Sequence, residues 1–257
     1  MKPHKTKKQL KSGTRFYLDR KIEENETLID LPKEITRHAT SALRLKVGAL
    51  FTLFDSDGSE YISTLVTTPD GQIKADVLQF LDSKTESKLK VSLTQSILSN
   101  EKMSLVVQKA TELGITEINV CKTDRSSISI ETDQLKKRKV HWRRVAIAAC
   151  EQSGRTQIPK INTYLSLTSC LEELPAENTE QTKLILSPQG STRLKDISVS
   201  PANLNIAVGP EGGFSDDEIA FAKSTGFIEF QTGPRTLRAE TAGISMAAIA
   251  QALWGDF

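Results

Sequence analysis

The chain has 257 residues, of which 38% are hydrophobic and 26% are charged, and its formal net charge is +2. It is long enough for one large or two ordinary domains, and too rich in apolar residues for a disordered protein. No apolar run approaches the 18 or more residues of a membrane span, and no apolar segment follows the basic N-terminus. We therefore expect a cytoplasmic protein without a membrane partner.

The first 82 residues are predicted to form a small β-barrel domain. Short β-like runs separated by glycine turns are typical of such closed sheets. One helix, at about 34–43, interrupts the runs, and the polar stretch 82–88 is the predicted linker. The predicted strands are 15–18, 26–30, 49–54, 60–66 and 71–78.

From residue 89 to the end at 257, predicted strands and helices alternate, which favours an α/β domain with a mainly parallel sheet. Asp133 is the expected N-cap of the longest helix, and Gly154 follows its end. The predicted strands are 91–98, 115–121, 182–186, 203–208 and 227–231, and the predicted helices are 102–113, 134–152 and 240–254.

Two glycine-bearing loops in this second half indicate one binding site. Residues 206–215 (IAVGPEGGFS) and 232–243 (TGPRTLRAETAG) each follow a strand-like run and lead into a helical pattern. In open α/β sheets, ligands bind at the carboxyl ends of strands, where helix N-termini offer unpaired N–H groups. Relaxed turn geometry is the alternative explanation for either loop taken singly.

The sequence gives less support to other kinds of catalytic or metal-binding site. Ser215 and Glu218 match a capping box better than a pair of catalytic carboxylates. Phosphate-loop and dinucleotide-binding signatures are missing, and Gly243-Ile-Ser-Met-Ala247 lies in a helical run rather than at a nucleophile elbow. Cys121, Cys150 and Cys170 have no metal-ligand spacing, so we expect buried thiols and no bound metal.

Charge and helix patterning suggest two kinds of partner. Basic residues crowd positions 2–21 and 136–144, which suits a polyanion, although solvated surfaces explain such clusters about equally well. The last helix is apolar nearly all round, so we expect it to be buried, either in the core or against a second subunit.

Five spaced motifs together resemble the bacterial ribosomal RNA small subunit methyltransferase E family along nearly the whole chain. Ala39 stands where the family often has a second histidine, and Thr232-Gly233 where it commonly has Leu-Gly. The motifs are Arg37-His38 with residues 43–48 (LRLKVG), 109–114 (KATELG), 149–155 (ACEQSGR), 208–214 (VGPEGGF) and 233–242 (GPRTLRAETA).

This resemblance implies an N-terminal PUA-like RNA-binding barrel and a C-terminal trefoil-knotted SPOUT methyltransferase domain, acting as a homodimer through the knotted domain. It further implies that S-adenosylmethionine is the cofactor. The implied reaction is transfer of its methyl group to uracil N3 of a uridine in 16S rRNA, with the free rRNA or the small ribosomal subunit as partner.

Site residues are assigned on the same basis. Arg238 or Arg235 would stabilise the uracil oxygens, and Glu240 would act as a base, although capping of the last helix is an equally good role for it. The expected RNA-binding residues are Arg15, Arg20, Arg37, His38, Arg44 and Lys46. The expected cofactor-binding residues are Leu186, Ser187, Pro188, Gly209, Pro210, Glu211, Gly212, Gly213, Thr236, Leu237 and Arg238.

Two other functions stay open from the sequence. A catalytically silent RNA-binding factor would keep the basic barrel and show no methyl transfer. A related knotted methyltransferase would modify a ribose 2′-hydroxyl instead of a base.

Overall fold

The computed structural model describes residues 13–83, 85–174, 181–197 and 202–257. The chain divides into two compact units. The first comprises the residues up to Thr85 together with Gly154–Gln157, and the second comprises Glu86–Ser153 and Ile158–Phe257. The basic residues before position 13, which belong to the first of the two basic clusters in the sequence, lie outside the described residues.

The first unit is built on a five-stranded sheet of order β1-β3-β4-β5-β2. Strand β1 pairs with β3 in parallel, and the other neighbours are antiparallel. The predicted helix is split into a short α-helix and a π-helical turn, His38–Ala42. The elements are β1 (Arg15–Tyr17), β2 (Leu28–Asp30), α1 (Lys33–Arg37), β3 (Leu50–Phe54), β4 (Glu60–Thr67) and β5 (Ile73–Leu81).

One apolar cluster holds the first unit together. Phe16 packs edge-on against Phe51 with ring centroids 5.5 Å apart, and Leu53 and Leu65 are buried beside them. Ala39, in the place of the family's second histidine, is fully buried in this cluster, where a small apolar residue avoids the desolvation of an imidazole.

The second unit contains a seven-stranded, wholly parallel sheet of order β10-β12-β9-β11-β6-β7-β8. Because parallel strands all end at the same edge, the loops that follow them meet there. The strands are β6 (Lys90–Ser96), β7 (Glu117–Cys121), β8 (Lys160–Tyr164), β9 (Gln181–Leu186), β10 (Thr192–Arg193), β11 (Asn203–Val208) and β12 (Ile228–Gln231).

Helices cover both faces of this sheet, so successive residues of the buried strands point into different apolar clusters. Ile206 packs in the cluster that contains Met103, Trp142 and Met246, whereas Ala207 packs with Leu167. The helices are α2 (Asn100–Glu112), α3 (Thr132–Ser153), α4 (Leu167–Glu172), α5 (Asp216–Ser224) and α6 (Ala239–Trp254).

The ends of the helices in the second unit agree only in part with the local capping signals of the sequence. Gly226 follows the end of α5 with a φ of 87°, the left-handed conformation expected of a helix-terminating glycine. Asp133 is not an N-cap, because α3 already begins at Thr132 and places Asp133 in its first turn. Strand β8, the short strand β10 and helix α4 were not predicted.

Buried thiols are confirmed at Cys121, Cys150 and Cys170, none of which forms a disulfide. Over the part of the chain that the structure describes, none of the helices has the length and hydropathy needed to cross a membrane.

Candidate active site

Three adjacent strands, β12, β9 and β11, end at one place on the carboxyl edge of the large sheet. The loops that follow them lead from Leu186, Val208 and Gln231. The two glycine-bearing loops of the sequence therefore lie on either side of the loop after β9. This is the arrangement that Brändén's rule associates with a ligand site.

A cavity of about 260 Å³ lies between these loops. Several of its lining residues are glycine or proline, and its apolar side chains include Leu186 and Leu237. The lining residues are Leu186, Ser187, Pro188, Val208, Gly209, Pro210, Glu211, Gly213, Gln231, Thr232, Gly233, Pro234, Arg235, Thr236, Leu237, Ala239 and Ala242.

Most of the residues expected to bind the cofactor line this cavity, but Gly212 and Arg238 do not. Gly212 is not among the lining residues, and its carbonyl oxygen accepts a hydrogen bond from Nη1 of Arg125 at 3.4 Å. Arg238 is the N-cap residue of α6 and is exposed. Val208, Ala239 and Ala242 also line the cavity, although they were not among the expected cofactor-binding residues; they lie at the end of β11 and in the first turn of α6, within the two glycine-bearing motifs.

The loop after β11 is fixed by its own main chain and by the start of α5. The amide of Gly213 donates to the carbonyl of Pro210 at 2.9 Å, and Gly213 has a φ of 70°, which a side chain would oppose. Ser215 then forms the predicted capping box with Glu218. Glu218 is 8% exposed and also accepts from the amide of Asp124, so it is a structural carboxylate and not a catalytic one.

Lys102, in the first turn of α2, joins the two glycine-bearing loops. Its ammonium group donates to the carboxylate of Glu211 and lies 3.7 Å from Oε2 of Glu240. The hydrogen bond lowers the pKa of Glu211 and raises the pKa of Lys102. Because Lys102 is 109 residues from Glu211 in the chain, the sequence patterns gave no sign of this contact.

Glu240 occupies an unusual position for a carboxylate. Its side chain is 13% exposed, and its buried Oε2 has no hydrogen-bond partner among the described residues. The side chain of the N-cap residue, Arg238, makes no capping hydrogen bond, and Glu240 lies in the first turn rather than at the cap. The capping role considered for Glu240 is therefore wrong as an N-cap, and its carboxylate faces Lys102.

Arg235 and Arg238 are both exposed, at the cavity rim and at the start of α6 respectively. The positive charge of Arg238, after the hydrogen bond from Lys102, is one of the influences that lower the pKa of Glu211. Arg238 is thus close enough to the loop after β11 to act on a negatively charged group there.

The residues expected to bind RNA all lie in the first unit, but their environments differ. Arg37, His38, Arg44 and Lys46 are exposed. The side chain of Arg15 is only 13% exposed, pairs with Glu60 and stacks 4.8 Å from the Phe54 ring centroid, which makes it a structural residue.

Arg20 is also engaged within the first unit. Its guanidinium donates to both oxygens of Glu26, at 2.8 and 2.6 Å, while its side chain stays 41% exposed. Part of its positive charge is therefore compensated by Glu26, which leaves less of it for binding phosphate groups.

Arg44 has the one positive φ that the structure describes for a residue other than glycine, at 53°. The preceding π-helical turn holds the loop on one side, since the amide of Leu45 donates to the carbonyl of Ala39. Residues in this region of φ and ψ are strained and cluster at functional sites.

A second, wider cavity lies at the same edge of the sheet, between the loops after β7 and β8. Its charged lining residues are Lys122, Asp124, Asp217 and Glu218. The excess of negative charge among them is unsuited to phosphate. Among the described residues, no group of three or more His, Cys, Asp or Glu side chains is placed to hold a metal ion.

Comparison with known proteins defines the class of this fold and site. Residues 85–251 match the model of an RNA methyltransferase domain, and residues 31–78 match that of an RNA methyltransferase PUA domain. The chain is thus an RNA methyltransferase of the SPOUT class, with a PUA-like domain ahead of its α/β domain.

The particular family follows from individual relatives. Ribosomal RNA small subunit methyltransferase E of Buchnera aphidicola is 30% identical over 94% of this chain and 97% of its own length. The crystal structure of the same-named enzyme from Neisseria gonorrhoeae, bound to S-adenosylmethionine, is 34% identical with a TM-score of 0.86, covering 95% of this chain and 99% of that one. The chain belongs to the ribosomal RNA small subunit methyltransferase E family.

A methyltransferase of Legionella pneumophila, solved with bound S-adenosylmethionine, is similar to the same extent. It is 34% identical with a TM-score of 0.87, and the alignment covers 95% of this chain and 99% of that chain.

Proposed function

We propose that this protein transfers the methyl group of S-adenosylmethionine to uracil N3 of a uridine in 16S rRNA. The observation that carries the proposal is the cavity at the ends of β12, β9 and β11, whose walls are the family's two glycine-bearing motifs. Two relatives of similar fold were solved with this cofactor. The family name supports rRNA as the substrate.

The cavity fits an adenosyl cofactor in its chemistry. Leu186, Val208 and Leu237 offer apolar contact to a flat base, while the main chain of Gly209 and Thr236 offers hydrogen bonds. Its volume of about 260 Å³ is slightly below the range of roughly 300–1,000 Å³ common for ligand pockets, which suits a site that encloses part of its ligand. When bound, S-adenosylmethionine supplies an electrophilic methyl group on a positively charged sulfur.

Methylation at N3 requires loss of the imide proton, formation of the N3–carbon bond and cleavage of the carbon–sulfur bond. We assign Glu240 as the group that accepts the proton, since its buried oxygen has no hydrogen-bond partner among the described residues and lies at the start of α6. The ammonium group of Lys102 lies 3.7 Å from this oxygen. Arg238 and Arg235 would stabilise the negative charge that develops on the uracil oxygens.

The target base must leave the RNA stack before N3 can be reached, because N3 is hidden by base pairing. In the first unit, the exposed side chains of Arg37, His38, Arg44 and Lys46 provide the positive charge for holding the RNA backbone meanwhile. Arg20 can add to this surface only by releasing Glu26.

A homodimer through the second unit completes the proposal, with the trefoil knot that the SPOUT resemblance implies. One side of α6 is packed in the core, but Ile249 and Leu253 are 38% and 48% exposed, and Phe257 just beyond the helix is 68% exposed. An apolar strip of this kind is suited to a second copy of the chain. We place the protein in the cytoplasm, where its rRNA substrate is made.

Two variants test the roles of Glu240 and Arg238. For each variant, turnover is measured as labelled methyl transfer to 16S rRNA and to small subunits, and cofactor affinity is measured by calorimetry. Glu240→Gln should lower kcat by roughly 10²- to 10⁴-fold, the range of general base catalysis, with little change in cofactor affinity. Arg238→Ala should also lower turnover. The assignments fail if either variant keeps full turnover.

A further inference from the structure

The exposed face of α3 carries a dense group of basic side chains. Lys136, Lys137, Lys139, His141, Arg143 and Arg144 are all exposed, within the first 13 residues of the helix. We propose that this face, here called the α3 basic face, is a second RNA-binding surface, which contacts rRNA phosphates beside the methyl-transfer site.

Helix geometry separates the α3 basic face from the core. At 100° per residue, Lys136, Val140 and Arg144 follow one another along one side of α3. Leu135, Trp142 and Ala146 lie on the other side and are 4%, 0% and 0% exposed. The basic side chains therefore project from a helix that is anchored in the core. From Lys136 to Arg144 the face is about 12 Å long, at a rise of about 1.5 Å per residue.

Like charges on this face lie close enough to repel one another. Lys136 and Lys139 are three positions apart, a spacing at which like charges are destabilising. Lys136 lies 3.6 Å from Asp133, and both side chains are largely exposed. A surface that tolerates such repulsion gains from an external polyanion, because each phosphate contact releases counterions.

Topology places the α3 basic face at the edge of the sheet where the cavity opens. Helices α2 and α3 follow the carboxyl ends of β6 and β7, so both begin at that edge. His141 contacts Ser104 of α2 at 3.1 Å between Nε2 and Oγ. Ser104 lies two residues after Lys102, whose ammonium group contacts Glu211 of the cavity wall. RNA bound along α3 would thus approach the site of methyl transfer.

The experiment measures the affinity for a 16S rRNA transcript as a function of salt concentration. The test variant combines Lys136→Gln, Lys137→Gln and Arg144→Gln, since glutamine keeps helix propensity. Each phosphate contact contributes about 0.7–0.9 to the slope of log affinity against log salt. We therefore expect the slope of this variant to be shallower by about 2, with unchanged affinity for S-adenosylmethionine.

A matched control removes three cations from the opposite edge of the sheet. Lys90 and Lys160 are the first residues of β6 and β8, and Lys223 is in the last turn of α5; all three are exposed. Lys90→Gln, Lys160→Gln and Lys223→Gln together change the net charge equally, and we expect the slope to stay near that of the wild type. A charge-preserving variant, Lys136→Arg with Lys137→Arg and Arg144→Lys, should bind as the wild type does.

The outcomes distinguish this inference from the proposed function. An unchanged slope in the test variant, or an equal change in the control, overturns the role of the α3 basic face alone. A wild-type protein without salt-dependent affinity for the transcript contradicts the proposed RNA substrate as well. Loss of cofactor affinity in the test variant but not in the charge-preserving one would assign these cations to the cofactor site and also overturn the inference.

Discussion

At the scale of single residues, the two acidic groups beside Lys102 differ in their hydrogen bonding. Glu211 is hydrogen-bonded to Lys102, whereas Glu240 is buried at 3.7 Å from the same ammonium group without a hydrogen bond. One carboxylate is thereby engaged in a contact with α2, and the other is the group to which we assign proton transfer in the proposed reaction.

The Lys102–Glu211 contact predicts an acid limit on cofactor binding. The pKa of Glu211 is lowered by Lys102, so the contact is fully formed above the ordinary carboxyl pKa of about 4.3 and is lost as pH falls through the lower folded value. We expect affinity for S-adenosylmethionine to weaken in that window and Glu211→Gln to remove this part of the pH dependence. Calorimetric titrations over about pH 3.5–6, on both sides of the ordinary carboxyl pKa, test this expectation. Identical pH profiles for both proteins would contradict it.

Arg44 allows a test that separates strain from function. A left-handed backbone costs a side-chain-bearing residue on the order of 1–2 kcal/mol, a cost that glycine avoids. Arg44→Gly should therefore leave the melting temperature equal or higher while weakening RNA binding, and Arg44→Ala should weaken RNA binding without relieving the strain. RNA affinity and thermal unfolding are measured for both. Full RNA affinity in Arg44→Gly would show that the arginine is not needed.

At the scale of elements, α5 depends on its capping box to position the loop before it. Ser215 accepts from the amide of Glu218 at 3.2 Å and donates to Asp124 at 2.6 Å, so it ties α5 to the loop after β7. These contacts hold the end of the glycine-bearing loop that lines the cavity.

Ser215→Ala should lower the free energy of unfolding by about 1 kcal/mol, the usual cost of losing a hydroxyl N-cap. The melting temperature would fall by roughly 2–4 °C in a chain of this size. Ser215→Thr keeps the hydroxyl and serves as the control in thermal unfolding. Equal stability of the alanine and threonine variants would contradict the importance of the cap.

The elements also show what sequence patterns can predict. Strand β11 was located because its apolar run Ile206-Ala-Val208 leads into a glycine-bearing loop, and α5 because its capping box is local in the chain. Strand β8 (KINTY) was missed because Ile161 is its only aliphatic residue. In the structure, Asn162 donates to Glu117 at 2.7 Å and to Asn119 at 2.9 Å on the neighbouring strand, a stabilisation that only pairing reveals.

The candidate site was likewise predictable only where its residues are close together in the chain. The glycine-bearing loops are recognisable from their sequence, whereas Lys102 contacts them from α2, which is far away along the chain. Arg15 was expected to bind RNA from the family resemblance. In the structure it pairs with Glu60, 45 residues away in the chain, and its side chain is only 13% exposed. A basic residue in the sequence therefore predicts a binding surface only where it has no acidic partner in the folded chain.

At the scale of the whole molecule, the proposed dimer explains why α6 keeps apolar side chains exposed. A stable interface buries roughly 1,200–2,000 Å², so a strip that includes Ile249 and Leu253 can form only part of it. A charge placed in a desolvated interface destabilises it strongly. The strip therefore gives a direct way to test the assembly.

Leu253→Asp should convert the dimer to a monomer. Leu165→Asp, at a residue 56% exposed outside α6, is the control and should leave the assembly unchanged. Size-exclusion chromatography with light scattering at micromolar concentration measures both. A monomeric wild-type protein, or a Leu253→Asp variant that stays dimeric, would contradict this use of α6.

The proposed reaction is defined by the atom that receives the methyl group. The most direct measurement is transfer from labelled S-adenosylmethionine to small ribosomal subunits from cells that lack this activity, followed by mass spectrometry of the nucleosides. Label in 3-methyluridine is the predicted result. Label in a 2′-O-methylated nucleoside would contradict the proposed reaction, and no label in subunits or free 16S rRNA, with a folded protein, would indicate an RNA-binding factor without catalysis.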